Sequence, residues 1–453
     1  MASSGRRRVV ITGVGPITAF GVGIDPLWTA MCEGRSAIRR ISRFDPSGFP
    51  CQIAAELSDE LFDVRSIVPK SYRKATKVMA RDIELAVGAA AAAVTDAQLI
   101  TKAVDPDAAP SIDPARFGCH IGAGLIAADI DELTAALITS KWAEESASST
   151  NAPTPIDLAH WGATGMNNLT PLWLLKYLPN MLACHVTIIH DCRGPSNTIT
   201  CAEASAALSL GESMRVIERG RADACLTGGA EHKINPMGLL RQIFARRLAP
   251  ANGQGDPTTI VKPFDPSAQG SVLGEGGGIL VLEALESAER RNAQPYAEVV
   301  GFAATQAYCP DTVGLEIEPD GQSISDAIEA ALKMAGIDPD AIDAIVPFGS
   351  GIAHIDRSEA AAIKRVFGSR AASIPLITTV PNVGNCCAGA AAISITVASM
   401  ALRSQRLPAR LNTAGAEGLD ANAAPSRDAS LTHVLVVSTG MGGQNAAIVL
   451  KRM

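Results

Sequence analysis

The order helix, short connection, apolar strand, glycine occurs twice in this chain, and no other feature constrains the fold as tightly. An alanine-rich helical stretch from Asp82 to Val94 leads to the strand pattern Gly118-Cys119-His120-Ile121-Gly122. In the same way, the stretch from Ile324 to Ala335 leads to Ala344-Ile345-Val346-Pro347-Phe348-Gly349. The chain opens on Arg8-Val9-Val10-Ile11-Thr12-Gly13-Val14-Gly15. It closes on His433-Val434-Leu435-Val436-Val437, a glycine-rich turn and a last strand from Ala446 to Leu450. These patterns predict an α/β protein built of two duplicated halves. Pro, Gly, Asn, Gln and Asp cluster between Ala249 and Thr259, which predicts a division into residues 1–255 and 256–453. With 453 residues, 47% of them hydrophobic but only 4% aromatic, and 40 glycines, the interior must be built from small and aliphatic side chains in close layers.

Charge and cysteine content narrow the function. A net charge of −7, with no basic stripe beyond Arg6-Arg7-Arg8, argues against nucleic acid as the main partner. No apolar run reaches the roughly 18 residues needed to cross a bilayer, and the N-terminal region lacks a signal-peptide pattern. A soluble, cytoplasmic protein is the expectation. Ten cysteines without regular spacing do not form a disulfide framework, and no Cys-x-x-Cys pair points to zinc. The segment Cys184-His185 to His190-Asp191-Cys192 holds metal-ligand residue types. Its β-branched middle reads as a buried strand with Cys184, Val186 and Ile188 on one face, so neither a metal nor any other cofactor is expected.

The segment Gly194-Pro195-Ser196-Asn197-Thr198-Ile199-Thr200-Cys201-Ala202-Glu203-Ala204-Ser205 runs from a turn through a short strand into a helix. In that helix Ala207, Leu210, Met214 and Ile217 form one apolar stripe, and Gly220 is its predicted stop before the strand Ala224-Cys225-Leu226-Thr227. Glu203 thus stands at a helix N-terminus. Its plain structural role there is a capping carboxylate worth about 0.3–1 kcal/mol.

The segment resembles the nucleophile elbow of the β-ketoacyl-acyl carrier protein synthases, in which a cysteine lies nine residues after the glycine of the Gly-Pro turn. Further blocks resemble the same family: Val10-Ile11-Thr12-Gly13-Val14-Gly15, Leu178-Pro179-Asn180-Met181, Gly228-Gly229-Ala230-Glu231, Lys262-Pro263-Phe264-Asp265, Val272-Leu273-Gly274-Glu275-Gly276-Gly277-Gly278 and Gly442-Gly443-Gln444-Asn445. The resemblance implies a thiolase-like five-layer fold, a dimer, and acyl groups delivered by an acyl carrier protein. It also implies a cysteine, two histidines and a lysine as catalytic set. The matching positions here are Glu203, Phe348, Asn385 and Val380.

Those replacements remove a thiolate nucleophile and the donors that face a developing enolate. Such a chain is similar to the chain-length factors of aromatic polyketide synthesis, which lack the cysteine, usually carry glutamine, and pair with an active ketosynthase. The leading expectation is therefore a non-condensing subunit in a heterodimer with a ketosynthase, with a homodimer as the other arrangement. The alternative is a decarboxylase or acyltransferase in which Glu203 serves as general base, with main-chain N–H groups near Glu203 and Met441 as oxyanion site. A thiol route through Cys201 and a role for His354, placed in a loop, are further readings. A pure binding protein that holds acyl chains or carrier domains completes the set. Arg241, Arg246 and Arg247 are candidate contacts for an acidic carrier or a plain solvated face. The stretch from Trp161 to Leu175 reads equally as lid, interface or core.

Overall fold

A computed structural model describes residues 6–140, 156–252, 254–312 and 315–453. The strands that carry the fold are β1 (Val9–Thr18), β2 (Phe117–Gly122), β3 (Ser196–Ile199), β4 (Ala224–Glu231), β5 (Gly276–Ala284), β6 (Ala297–Gln306), β7 (Ala344–Val346), β8 (His433–Thr439) and β9 (Gln444–Lys451). The helices are α1 (Arg81–Asp96), α2 (Ile130–Ile138), α3 (Met181–His190), α4 (Ser205–Glu218), α5 (Pro236–Phe244), α6 (Gln322–Ala335), α7 (Ala353–Phe367) and α8 (Ala390–Ser404).

Among the described residues the strands form one ten-stranded sheet in the order β7-β8-β9-β6-β1-β5-β4-β2-β3, with a short strand, Gly21–Val22, on the end of β1. The duplication lies in the pairing directions. In the first repeat β1 pairs β5 antiparallel, β5 pairs β4 antiparallel, and β4 pairs β2 parallel. The second repeats this with β6, β9, β8 and β7. Even the edge is matched, since β2 pairs β3 in parallel and β7 makes a parallel bridge from Ile345 to Leu376. The two repeats join where β1 meets β6, antiparallel. β5 follows the Pro- and Gly-rich loop at 249–259 yet pairs with β1 and β4, so a division at 255/256 separates it from both partners.

Helices α1 and α3 cover the outer face of the first repeat, and α6 packs on β6 and β9 of the second. Between the repeats lie α4 and α8, each touching strands of both. Their composition follows from this position, because a helix packed against strands of both halves of the sheet must be apolar around most of its surface. Contrary to the expectation that no apolar run reaches membrane-spanning length, the 18-residue stretch Cys387–Ser404 is apolar and long enough to cross a membrane, yet 83% of it is buried inside the protein. In α4 the expected stripe of Ala207, Leu210, Met214 and Ile217 is buried. The helix ends where Gly220, at φ 69°, lets its N–H reach Ile217 O and that of Arg221 reach Val216 O.

The segment expected as a strand around Cys184 is a helix, α3. Leu182, Val186, Ile189 and His190 are buried, whereas Ile188 is 59% exposed, a helical period that its β-branched residues obscure. Cys184, Val186 and Ile188 therefore do not share a face.

Candidate active site

The elbow is a strained turn held by its own side chains. After β3 the chain passes through Ala202 at φ 47°, makes a 3-10 turn over Ala202–Ala204, and enters α4 at Ser205. Ser205 Oγ donates to Ala202 O at 2.6 Å and accepts the Cys201 N–H at 2.8 Å, closing the turn. Ser438 Oγ on β8 donates to the Glu203 carbonyl at 3.0 Å and ties the turn to the second repeat.

This geometry sends the Glu203 side chain inward, where it is 1% exposed. Its Oε1 accepts from Asn385 Nδ2 at 3.1 Å and from the guanidinium of Arg247, and its Oε2 accepts from the Met441 N–H at 3.0 Å. Burial opposes ionisation. The Arg247 charge, the Met441 N–H and the Asn385 amide outweigh it and hold the carboxyl below its ordinary range. At neutral pH the group is a carboxylate in a buried ion pair.

The second repeat has its own version of the elbow. Cys387 also stands at φ 47°, a 3-10 turn covers Cys387–Gly389, and α8 starts at Ala390. Asn385 lies just before it and is fixed on three sides. Its N–H donates to Val272 O at 2.7 Å, its carbonyl accepts the Gly274 N–H at 2.9 Å, and its Oδ1 accepts the Cys387 N–H at 2.8 Å. The amide group aimed at Glu203 thus comes from a rigid support.

A cavity of about 320 Å³ opens onto the elbow, lined by Cys201, Ala202, Glu203, Glu231, Lys233 and Met441 among others. Glu231 accepts the Ala388 N–H at 2.7 Å and pairs with Lys233, whose ammonium also donates to Leu125 O. Burial works against the Lys233 charge, and Glu231 with Asp82 restores it. Gly124 makes room for this pair, since a Cβ there would lie 1.7 Å from Glu231 Oε1.

Of the positions expected from sequence, the fold brings Glu203 and Asn385 into contact. Phe348 and Val380 pack in one apolar cluster with Ile352 and Ile355, so neither side chain offers a donor. The backbone at Phe348 is held from α7. Glu359 accepts the Phe348 and Gly349 N–H groups at 2.8 and 3.0 Å, and Asp356 accepts those of Ser350 and Gly351 at 2.9 and 3.0 Å. Burial pushes Glu359 up to about 8 in spite of those two bonds.

Several expectations need correction. Arg247 is 2% exposed and faces Glu203, so it offers nothing to a carrier protein, whereas Arg241 and Arg246 are exposed. The cause is local: Arg246 adopts φ 54° just beyond α5, which turns the next residue inward. His354 lies in the first turn of α7, half-buried, and not in a loop. Cys201 lines the cavity, but burial pushes its thiol up, and among the described residues no imidazole hydrogen-bonds to it. In the stretch from Trp161 to Leu175, Met166, Leu172 and Leu174 are exposed, which removes the reading as plain core.

A duplicated sheet with a buried helix launched from a strained elbow defines a thiolase-like α/β fold, and comparison with known proteins agrees. The N-terminal domain pattern of the β-ketoacyl synthases matches residues 6–288 and the C-terminal domain pattern residues 296–414, so the chain belongs to the β-ketoacyl synthase family. It is similar to the 3-oxoacyl-[acyl-carrier-protein] synthase 2 of Coxiella burnetii, with 31% identity over 99% of both chains. Among solved structures it is similar to the ishigamide ketosynthase/chain length factor, with a TM-score of 0.80 and 26% identity over 99% of this chain and 100% of that one. A β-ketoacyl synthase from Burkholderia phymatum matches with the same score, identity and coverage.

Proposed function

We propose that this chain is a non-condensing member of its family, working in fatty acid or polyketide biosynthesis beside a cysteine-bearing ketosynthase whose product length it helps to set. The observation that carries this reading is the saturation of Glu203. At the elbow, where the family resemblance places the nucleophile, stands a carboxylate whose two oxygens already hold Arg247, Asn385 and the Met441 N–H. The Met441 N–H, a donor that could serve a substrate oxyanion, is turned to the protein's own carboxylate. Attack by this carboxylate on a thioester would give a mixed anhydride, an uphill product. As a general base it is poorly matched, because Arg247 holds it ionised below the ordinary carboxylate range, far from the neutral pH at which a base works best.

Two surface features support a partner. β3 is the last strand of the sheet, with Ser196 and Asn197 exposed, and an open edge of this kind invites pairing with another chain. The second is an apolar cavity of about 480 Å³ between α2 and α5, lined by Leu125, Ile130, Leu133, Leu137 and Met237. Leu125, Lys233 and Arg241 line both this cavity and the one over Glu203, so a chain growing at the seam would run past the elbow. Of the three arginines considered as carrier contacts, Arg241 and Arg246 are exposed and available to an acidic carrier. The names of similar proteins bear on this reading: one is a synthase of acyl-carrier-protein-bound chains, another a ketosynthase/chain length factor.

The test is co-expression with a cysteine-bearing ketosynthase from the same cell. The expected result is a co-purifying complex whose product length is unchanged by Glu203→Gln in this chain. A stable homodimer that elongates acyl chains unaided would overturn the proposal.

A further inference from the structure

The apolar cavity between α2 and α5 and the cavity over Glu203 meet at Lys233. Leu125, Lys233 and Arg241 line both. Leu125 is 63% exposed and Arg241 is exposed, so the inner part of the partition is Lys233, at 3%. Its side chain bridges the exits of two neighbouring parallel strands. Lys233 follows the end of β4, and its ammonium donates to the carbonyl of Leu125, which follows the end of β2. Glu231 pairs with the same ammonium and is itself tied to the Ala388 N–H at 2.7 Å, in the elbow of the second repeat. Backbone lies directly against the pair, since a Cβ on Gly124 would lie 1.7 Å from Glu231 Oε1.

The walls change character at the same point. On one side stand Ile130, Leu133, Leu137 and Met237, on the other Glu203 and Gln444. An alkyl chain that runs past the elbow has to cross from one cavity to the other here. To let it through, the ammonium must leave both the Leu125 carbonyl and Glu231, and a buried carboxylate loses its countercharge. Hydrocarbon offers neither group a replacement.

We propose that the Lys233–Glu231 pair is a gate between these cavities and sets the length of alkyl chain that this protein accommodates. A chain short enough to stay on one side leaves the pair intact. A longer one meets a tethered ammonium and gains nothing from its additional methylenes. The gate rests on the length-setting role proposed above and names the residues that perform it.

The test is calorimetric binding of neutral alkyl glucosides, hexyl to dodecyl, to the full chain on its own. The sugar stays in solvent, and the alkyl chain enters the apolar cavity from its exposed rim at Leu133 and Met237. Affinity is expected to rise about fourfold per methylene and then to stop rising at the length that reaches Lys233. In Glu231→Gln with Lys233→Ala, which removes the side chain without stranding a charge, the rise should continue for about three or more further carbons, the stem removed. The break in the wild type is itself a test that needs no variant. No binding of any glucoside, a wild-type affinity that rises evenly to dodecyl, or a break that stays in place in the double variant would each overturn the gate. A merely structural pair would weaken all lengths alike. In complex with a ketosynthase the double variant should also lengthen the product. A break that moves while the product does not would uphold the gate and count against the length-setting role.

Discussion

Replacing Arg247 with methionine tests the ion pair on which the elbow depends. Methionine keeps much of the side-chain volume and removes the charge. Glu203, 1% exposed, would then keep only Asn385 and the Met441 N–H as donors, with no countercharge. Removing one partner of a buried pair costs about 3–5 kcal/mol because the other charge is left uncompensated. The pH dependence has a definite sign. In the wild type the folded-state pKa of Glu203 is depressed, so the stabilisation is present above its unfolded value and lost as pH falls through the folded value. In Arg247→Met burial is no longer offset, the folded pKa rises above the unfolded one, and the penalty is greatest at neutral pH and above. Urea unfolding at about pH 8 and about pH 5 should therefore show the variant's deficit shrinking at the lower pH. Adding Glu203→Gln should recover most of the loss. A deficit below about 1 kcal/mol, one equal at both pH values, or a double variant whose losses simply add would refute the reasoning.

Glu203→Cys frees the Met441 N–H and places a thiol at the elbow beside Arg247. The variant should gain the mass of an acyl group from an acyl thioester, yet condense at a rate at least about 10² below a competent synthase, because Phe348 and Val380 offer no donor to an enolate. Burial pushes Glu359 up to about 8 from an ordinary 4.5, so the folded state keeps a proton that the unfolded chain gives up, and stability falls as pH rises through that window. Relative to Glu359→Gln the wild type should lose a few kcal/mol of unfolding free energy between about pH 5 and 8, at about 1.4 kcal/mol per pKa unit, and parallel profiles would contradict this. Leu133→Trp narrows the apolar cavity between α2 and α5, and in a complex with a ketosynthase it should shift the product distribution to shorter chains, read by mass spectrometry.

Much of the fold is legible in the sequence because its signals are local. The apolar period of α4, the glycine after it and the recurrent helix–strand–glycine order each depend on a few adjacent residues. α3 is not legible in the same way. Its run of Val186, Thr187, Ile188 and Ile189 favours a strand by propensity, and only tertiary packing on α1 makes it a helix. Spacing from matching neighbours locates Glu203 and Asn385, though not the hydrogen bond between residues 182 positions apart. Arg247 was hidden for a physical reason: an arginine after a helix is usually solvated, and only the left-handed turn at Arg246 directs it to the core. The signal that could have found it is charge balance, since an acid at a buried elbow requires a cation. Likewise Glu359 reads as a helix residue, and its role in gripping the Phe348 backbone emerges only when β7 and α7 are side by side.

The most direct measurement is intact mass of the purified wild-type chain after incubation with acyl- and malonyl-loaded carrier protein, with and without a cysteine-bearing ketosynthase. With Glu203 saturated by Arg247, Asn385 and Met441, the chain should stay at its unmodified mass in both arms, while the ketosynthase is acylated and condensation requires it. An acyl adduct on this chain, at Cys201 or elsewhere, or decarboxylation of the malonyl group by this chain alone, would contradict the account.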